Sequence, residues 1–213
     1  MRISLRHAPA TLIVAGLTIL ASLFVILTGQ DQAAALYAGF IPARLSMGSA
    51  GAMPGLLPVA LTPLSATFVH GGLLHLVFNM VMLVFTGVAT ERALGAKGVV
   101  VLYLVGAFAA AAAQWIADPA SPAPMIGASG AVSALVGAYS LLYGRQRTRD
   151  VGPVPGWLLH VLWLAVAWTI LNLMVGVLSV RAGMPVAAAA HIGGFVAGLA
   201  LCRPLLMWNW RSA

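Results

Sequence analysis

Residues 157–180 read WLLHVLWLAVAWTILNLMVGVLSV, residues 181–185 read RAGMP, and residues 186–201 read VAAAAHIGGFVAGLAL. Neither apolar run holds an Asp, Glu, Lys or Arg. A helix that crosses a bilayer takes ~20 mostly apolar residues. The first run meets that length, and the second comes close and can draw on uncharged flanks. The turn between them is short and ends on Pro185, so the two read as neighbouring membrane helices running in opposite directions.

Working outward, four more segments of the same kind appear at 11–28, 73–89, 98–116 and 125–143. The expected fold is an all-α integral membrane protein, a bundle of six transmembrane helices forming one domain over 1–213 with its core at 66–201. Composition agrees. The 213 residues are 62% hydrophobic and 7% charged, where a soluble domain carries about a quarter charged residues. The formal net charge of +7 does not indicate nucleic acid, because the basic residues are few and scattered between apolar runs. The single cysteine, Cys202, excludes an intramolecular disulfide and a cysteine-based metal cluster, and is expected to pack inside the last helix. Arg2 and Arg6 precede the first apolar run, and Ala33–Ala35 imitates a cleavage site. That run is longer than the ~7–15-residue core of a secretory signal, so a retained helix is expected.

Six helices leave both ends of the chain on one side. Arg2, Arg6, Arg92, Lys97, Arg145, Arg147, Arg149, Arg203 and Arg211 then fall on that side, and only Arg44 and Arg181 on the other. Nine basic residues against two orient the termini to the cytoplasm. The expected location is a plasma membrane, the inner one of a bacterium. Trp157, Trp208 and Trp210 read as interfacial anchors. The first outer connection, residues 30–69, is long and broken by Pro42, Pro54, Pro58 and Pro63; beyond Arg44 no charge follows until Glu91. Such a loop is expected to lie in the interface or dip into the outer leaflet, its backbone satisfied by short helical turns. No internal repeat is found, which weighs against inverted-repeat transporters.

The informative polar residues are His70, His75, Asn79, Ser129 and His191, since polar side chains within a membrane are functional candidates. The expected topology runs helices two, four and six from outside to inside. Counted from the helix starts, Ser129 lies ~6 Å deep, His191 ~9 Å, and His75 and Asn79 ~4–10 Å. Gly130, Ala134 and Gly137 form a small-residue stripe beside the serine, and Ala190, Gly194 and Gly198 form another beside the histidine. Such stripes let helices approach closely in lipid, though generic packing produces them too. A serine hydroxyl needs an adjacent base to become a nucleophile, and His191 is the candidate. Asp31, Glu91, Asp118 and Asp150 all sit in loops or at helix ends, so the expectation is a Ser–His dyad without a carboxylate. His75 and Asn79, one turn apart, and the backbone N–H of Ser129 are candidate donors to an oxyanion.

Gly127-Ala128-Ser129-Gly130 resembles the GxSG nucleophile motif of rhomboid proteases. His70, His75 and Asn79 are similar to their second-helix pattern, and Ala190-His191 with Gly194 and Gly198 to their last-helix motif. The resemblance spans Ala66 to Leu201, with the motifs in family order. It implies an intramembrane serine protease that cuts membrane proteins in or near a transmembrane segment. It also implies a Ser129–His191 dyad, an oxyanion hole involving His75 and Asn79, and a membrane-dipping first loop. His70, Gly127, Gly130, Gly194 and Gly198 would support this site, and neither metal nor cofactor is expected. The expected partners are transmembrane substrates and the bilayer. Ser133 departs from the family, which often carries an aromatic residue there to pack on the imidazole, and the first loop shows no Trp-Arg pair. Two other readings remain. One is a rhomboid-like protein that binds transmembrane helices without cutting them, and the other a metal site of His70, His75 and His191 in a small transporter. His160 reads as an interface or packing residue, and His7 as part of the basic N-terminus.

Overall fold

A computed structural model describes residues 8–51, 55–144, 149–181 and 186–211. Of the residues weighed above, Arg2, Arg6, His7, Pro54, Arg145, Arg147 and Pro185 lie outside this set. The elements are α1 (Pro9–Leu27), α2 (Asp31–Ala38), α3 (Pro42–Ser46), α4 (Thr62–Ser65), α5 (Leu73–Ala117), α6 (Ser129–Tyr143), α7 (Gly156–Arg181) and α8 (Ala188–Arg211). Short 3-10 turns stand at Gly48–Gly51, Val59–Leu61 and Ala66–Phe68.

Two of the expected helices are the arms of α5. They meet at Gly95, whose φ of 73° and ψ of 167° break the helix in a conformation that side chains disfavour. Asn209 of α8 covers the break, its Nδ2 donating to the carbonyl of Ala93 at 3.2 Å. One turn earlier Glu91 caps α1. Its carboxylate accepts the N–H groups of Ala10 (2.9 Å) and Thr11 (2.7 Å) and the Thr11 hydroxyl (2.6 Å). A carboxylate at a helix N-terminus contributes about 0.3–1 kcal/mol, and up to ~2 where partly buried. α1, α5 and α8 are thereby tied together at one end.

Among the described residues, α1, α5, α7 and α8 are long and apolar enough to cross a membrane. Six spans result only when the two arms of α5 are counted separately and α6 is included, and α6 at 15 residues is short for a full crossing. The chain is an integral membrane protein of helical-bundle architecture.

Two boundaries differ from expectation. The fourth helix was expected over 125–143 but begins at Ser129. Met125 instead pairs with Phe40 in an antiparallel bridge, N–H to carbonyl at 3.0 and 2.8 Å, and Gly127 takes a φ of +105°. Ser129 therefore gains no depth from a preceding helical turn; a non-helical lead-in carries the chain to it. The last helix runs ten residues beyond 201, through Pro204 to Arg211, because Cys202 and Leu205 still face the core.

α5, α6 and α8 pack against one another at the centre, with α1 against α5 and α7 mainly against α8. Lipid tails are as apolar as leucine, so helix association relies on close packing and interhelical hydrogen bonds. The two small-residue stripes interlock. A side chain at Gly194 would run into the carbonyl oxygen of Gly130, one at Gly198 into that of Ala134, and one at Gly137 into that of Phe195. Leu83, Leu94, Leu102 and Leu135 are buried in one core cluster with Ala131 and Ala134. Leu20 and Phe24 of α1, Phe78 of α5, and Trp163 and Ile170 of α7 are exposed, as an apolar belt facing lipid requires.

The first loop folds into the short helical turns expected of it. Arg44 is buried and holds it together, Nε donating to the Gly51 carbonyl (3.2 Å) and Nη2 to that of Leu57 (2.8 Å). The loop is also stitched to the segment ahead of α6. Ala43 N–H donates to the Ser121 carbonyl (3.0 Å), the Ser46 hydroxyl to that of Pro119 (2.6 Å), and Gly127 N–H to that of Ala66 (2.9 Å). Non-helical backbone at membrane depth is tolerated when protein satisfies it in this way.

Candidate active site

Ser129 is the first residue of α6, so its backbone N–H has no preceding helical turn to bond to. The residue before it is held by His70. Ala128 N–H donates to His70 Nε2 at 3.3 Å, which leaves the imidazole proton on Nδ1. Nδ1 then donates to Ser22 Oγ (2.8 Å), and the Ser22 hydroxyl to the Phe68 carbonyl (2.8 Å). His70 is fully buried and joins α1 to the nucleophile turn from behind.

His75 and Asn79 lie one turn apart on the first arm of α5. Gly71 N–H donates to His75 Nδ1 at 3.3 Å, so in the neutral ring Nε2 carries the proton. Asn79 Nδ2 donates one hydrogen to the His75 carbonyl at 2.9 Å and keeps a second. A methyl group at Gly127 would stand 2.7 Å from His75 Nε2 and 3.9 Å from Asn79 Nδ2. Both nitrogens thus converge on the backbone just ahead of Ser129. Glycine is needed there twice, for its positive φ and for the room the imidazole takes.

His191 enters from α8. Its Nε2 lies 2.7 Å from Ser129 Oγ, and its Nδ1 lies 2.9 Å from Asn172 Oδ1 on α7. Asn172 Nδ2 donates to the Trp168 carbonyl at 3.0 Å, which turns the amide oxygen toward the imidazole. An amide oxygen only accepts, so the proton of His191 sits on Nδ1. Nε2 then presents its lone pair to the serine hydroxyl. Trp168 braces the same helix, its Nε1 donating to the His191 carbonyl (3.2 Å) and its ring stacked on Phe195 at 4.7 Å.

Ser133 is buried between α6 and α8, its hydroxyl donating to the Ser129 carbonyl at 2.8 Å. None of the acids joins His191: Glu91 caps α1, Asp150 accepts the Gly156 N–H (2.6 Å), Asp31 starts α2 and Asp118 ends α5. Gly194 and Gly198 let α8 approach α6 closely enough for the serine to meet the histidine, and Gly130 leaves room for Ala110 of α5. His160 is buried at the far end of α6, with Nε2 near Gly144. For the metal alternative, the lone pairs of His70 and His191 are already directed at Ala128 N–H and the Ser129 hydroxyl. Sequence reasoning passed over Asn172, although an amide within an otherwise apolar span was a visible signal.

A hydroxyl held against a neutral imidazole can pass its proton to it, and two side-chain N–H donors converge on the backbone just ahead of that hydroxyl, where they could meet a developing oxyanion. A family model of the rhomboid domain matches residues 60–208, a stretch containing all of these groups except Ser22. RHOMBOID-like protein 4 of Arabidopsis thaliana is 35% identical over 146 residues, covering 68% of this chain and 34% of that protein. RHOMBOID-like protein 5 of the same plant is 28% identical over 144 residues, covering 68% and 43%. Rhomboid protease GlpG of Serratia proteamaculans (strain 568) is 33% identical over 149 residues, covering 69% and 47%. The chain thus spans between a third and a half of the length of these relatives.

Proposed function

The chain belongs to the rhomboid family, and from that premise we propose that it is an intramembrane serine endopeptidase. Ser129 is the nucleophile and His191 the base. The observation that carries this reading is the 2.7 Å contact between Ser129 Oγ and His191 Nε2, with the proton of His191 held on Nδ1.

As Ser129 Oγ attacks the scissile carbonyl carbon, its proton passes to Nε2. The carbonyl oxygen becomes an oxyanion and accepts hydrogen bonds from His75 Nε2–H, Asn79 Nδ2–H and the Ser129 backbone N–H. Collapse breaks the C–N bond, and the leaving amine takes the proton from Nε2, forming an acyl-enzyme. Water then gives a proton to Nε2 and attacks the ester; collapse returns that proton to Ser129 and releases the acid. The substrates are proteins cut in or near a transmembrane segment. The termini lie in the cytoplasm and the site toward the outer face of a bacterial inner membrane, consistent with the distribution of basic residues.

Purified protein and a panel of single-span membrane proteins, co-reconstituted in liposomes, test the proposal. Cleavage by the wild type is expected, with loss in Ser129→Ala and in His191→Ala. The double variant should be little worse than either, because the pair acts as one unit. Binding of the panel without cleavage would favour a rhomboid-like protein that only holds transmembrane helices.

A further inference from the structure

We infer that Asn172 is a positioning residue for the base: from α7 its side-chain oxygen takes the Nδ1 proton of His191 and leaves Nε2 bare toward Ser129. This rests on reading Ser129 and His191 as nucleophile and base. A neutral imidazole has two tautomers, and only the one protonated at Nδ1 can accept from the serine. The partner of the second nitrogen decides between them.

Asn172 suits that role in three respects. It is 5% exposed, so water does not compete for its oxygen. Its orientation is fixed, because Nδ2 donates to the Trp168 carbonyl one turn back while Trp168 itself donates to the His191 carbonyl and stacks on Phe195. It is also uncharged, and a carboxylate in the same place would carry the cost of an ion inside a bilayer. When Nε2 receives the serine proton, Nδ1–H remains on the imidazole and stays bonded to the amide oxygen. Asn172 therefore orients the ring in both protonation states without exchanging a proton. Ser133, one turn beyond the nucleophile, is turned to the Ser129 carbonyl and gives the ring no such partner.

Two variants of the full chain in liposomes separate positioning from packing. Asn172→Leu is nearly isosteric and removes the acceptor. Asn172→Asp keeps an acceptor oxygen in either protonation state, and when protonated its O–H can still donate to the Trp168 carbonyl. Both are compared with wild type for kcat and KM on a cleaved single-span substrate, and for the rate of Ser129 phosphonylation by a fluorophosphonate. All values are taken per folded molecule. Asn172→Leu should lower kcat and the phosphonylation rate roughly 10- to 100-fold with KM little changed. Asn172→Asp should recover most of both. Wild-type rates in Asn172→Leu, or equal losses in Leu and Asp, would overturn the inference. Should Asn172→Leu not be recovered folded, Asn172→Ala takes its place with the same outcomes. A wild type inert in both assays would instead overturn the protease reading, and the inference with it.

Discussion

Gly194→Ala tests whether the close approach of α6 and α8 sets the geometry of the site. The added methyl would overlap the carbonyl oxygen of Gly130 and also stand 3.2 Å from Ser133 Cβ. Neither helix can yield locally, since the obstructing atom is backbone. Relief requires α8 to move off α6 by ~1 Å, and overpacking of this kind costs about 1–3 kcal/mol. His191 lies one turn earlier on the same helix, so the shift lengthens its 2.7 Å contact with Ser129 toward 3.5 Å or more. A misplacement of ~1 Å between reacting groups can cost ~10²-fold in rate. Gly16→Ala is the control, because nothing lies within 4 Å of a methyl there. Thermal unfolding in detergent and cleavage in liposomes would be measured on the same preparations. Gly194→Ala should lower both the melting temperature and kcat, while Gly16→Ala lowers neither. Wild-type turnover and melting in Gly194→Ala would refute the reasoning.

Asn79→Ala should reduce kcat by roughly 10²–10³ with a much smaller effect on KM, as loss of one oxyanion donor does. Full turnover alongside a lowered melting temperature would leave Asn79 a structural residue. Gly127→Ala should abolish cleavage, because the methyl both meets a φ of +105° and occupies the position of the His75 ring; activity near wild type would show that the ring can move aside. Reporter fusions at Gln146 and Ser121 should read cytoplasmic and external respectively, and the opposite pattern would invert the topology.

The juxtaposition of Ser129 with His191 was legible because small residues recur beside each at helical spacing; Gly137, Gly194 and Gly198 lie against backbone of the facing helix, while Gly130 lies against Ala110 of α5. Asn172 was not read. Its partner is set by the register of α7 against α8, which no local pattern encodes, and a single amide drew no notice among apolar neighbours. The start of α6 is hidden in the sequence for a different reason. An apolar lead-in such as Met125–Ile126 reads the same in a helix or in extended backbone, and only the bridge to Phe40 decides. The break at Gly95, by contrast, falls between the expected helices at 73–89 and 98–116, where Arg92 and Lys97 interrupt the apolar run. In the sequence Arg44 shows only as a charge on the outer side. Its guanidinium instead gathers two loop carbonyls that stand seven and thirteen residues away in sequence.

The most direct test is to treat wild-type protein in liposomes with a fluorophosphonate and map the adduct by peptide mass. A single adduct on Ser129, formed quickly by the wild type and slowed by orders of magnitude in His191→Ala, is expected of a serine activated by that histidine. Absence of any adduct, or labelling at Ser129 that persists unchanged in His191→Ala, would contradict it.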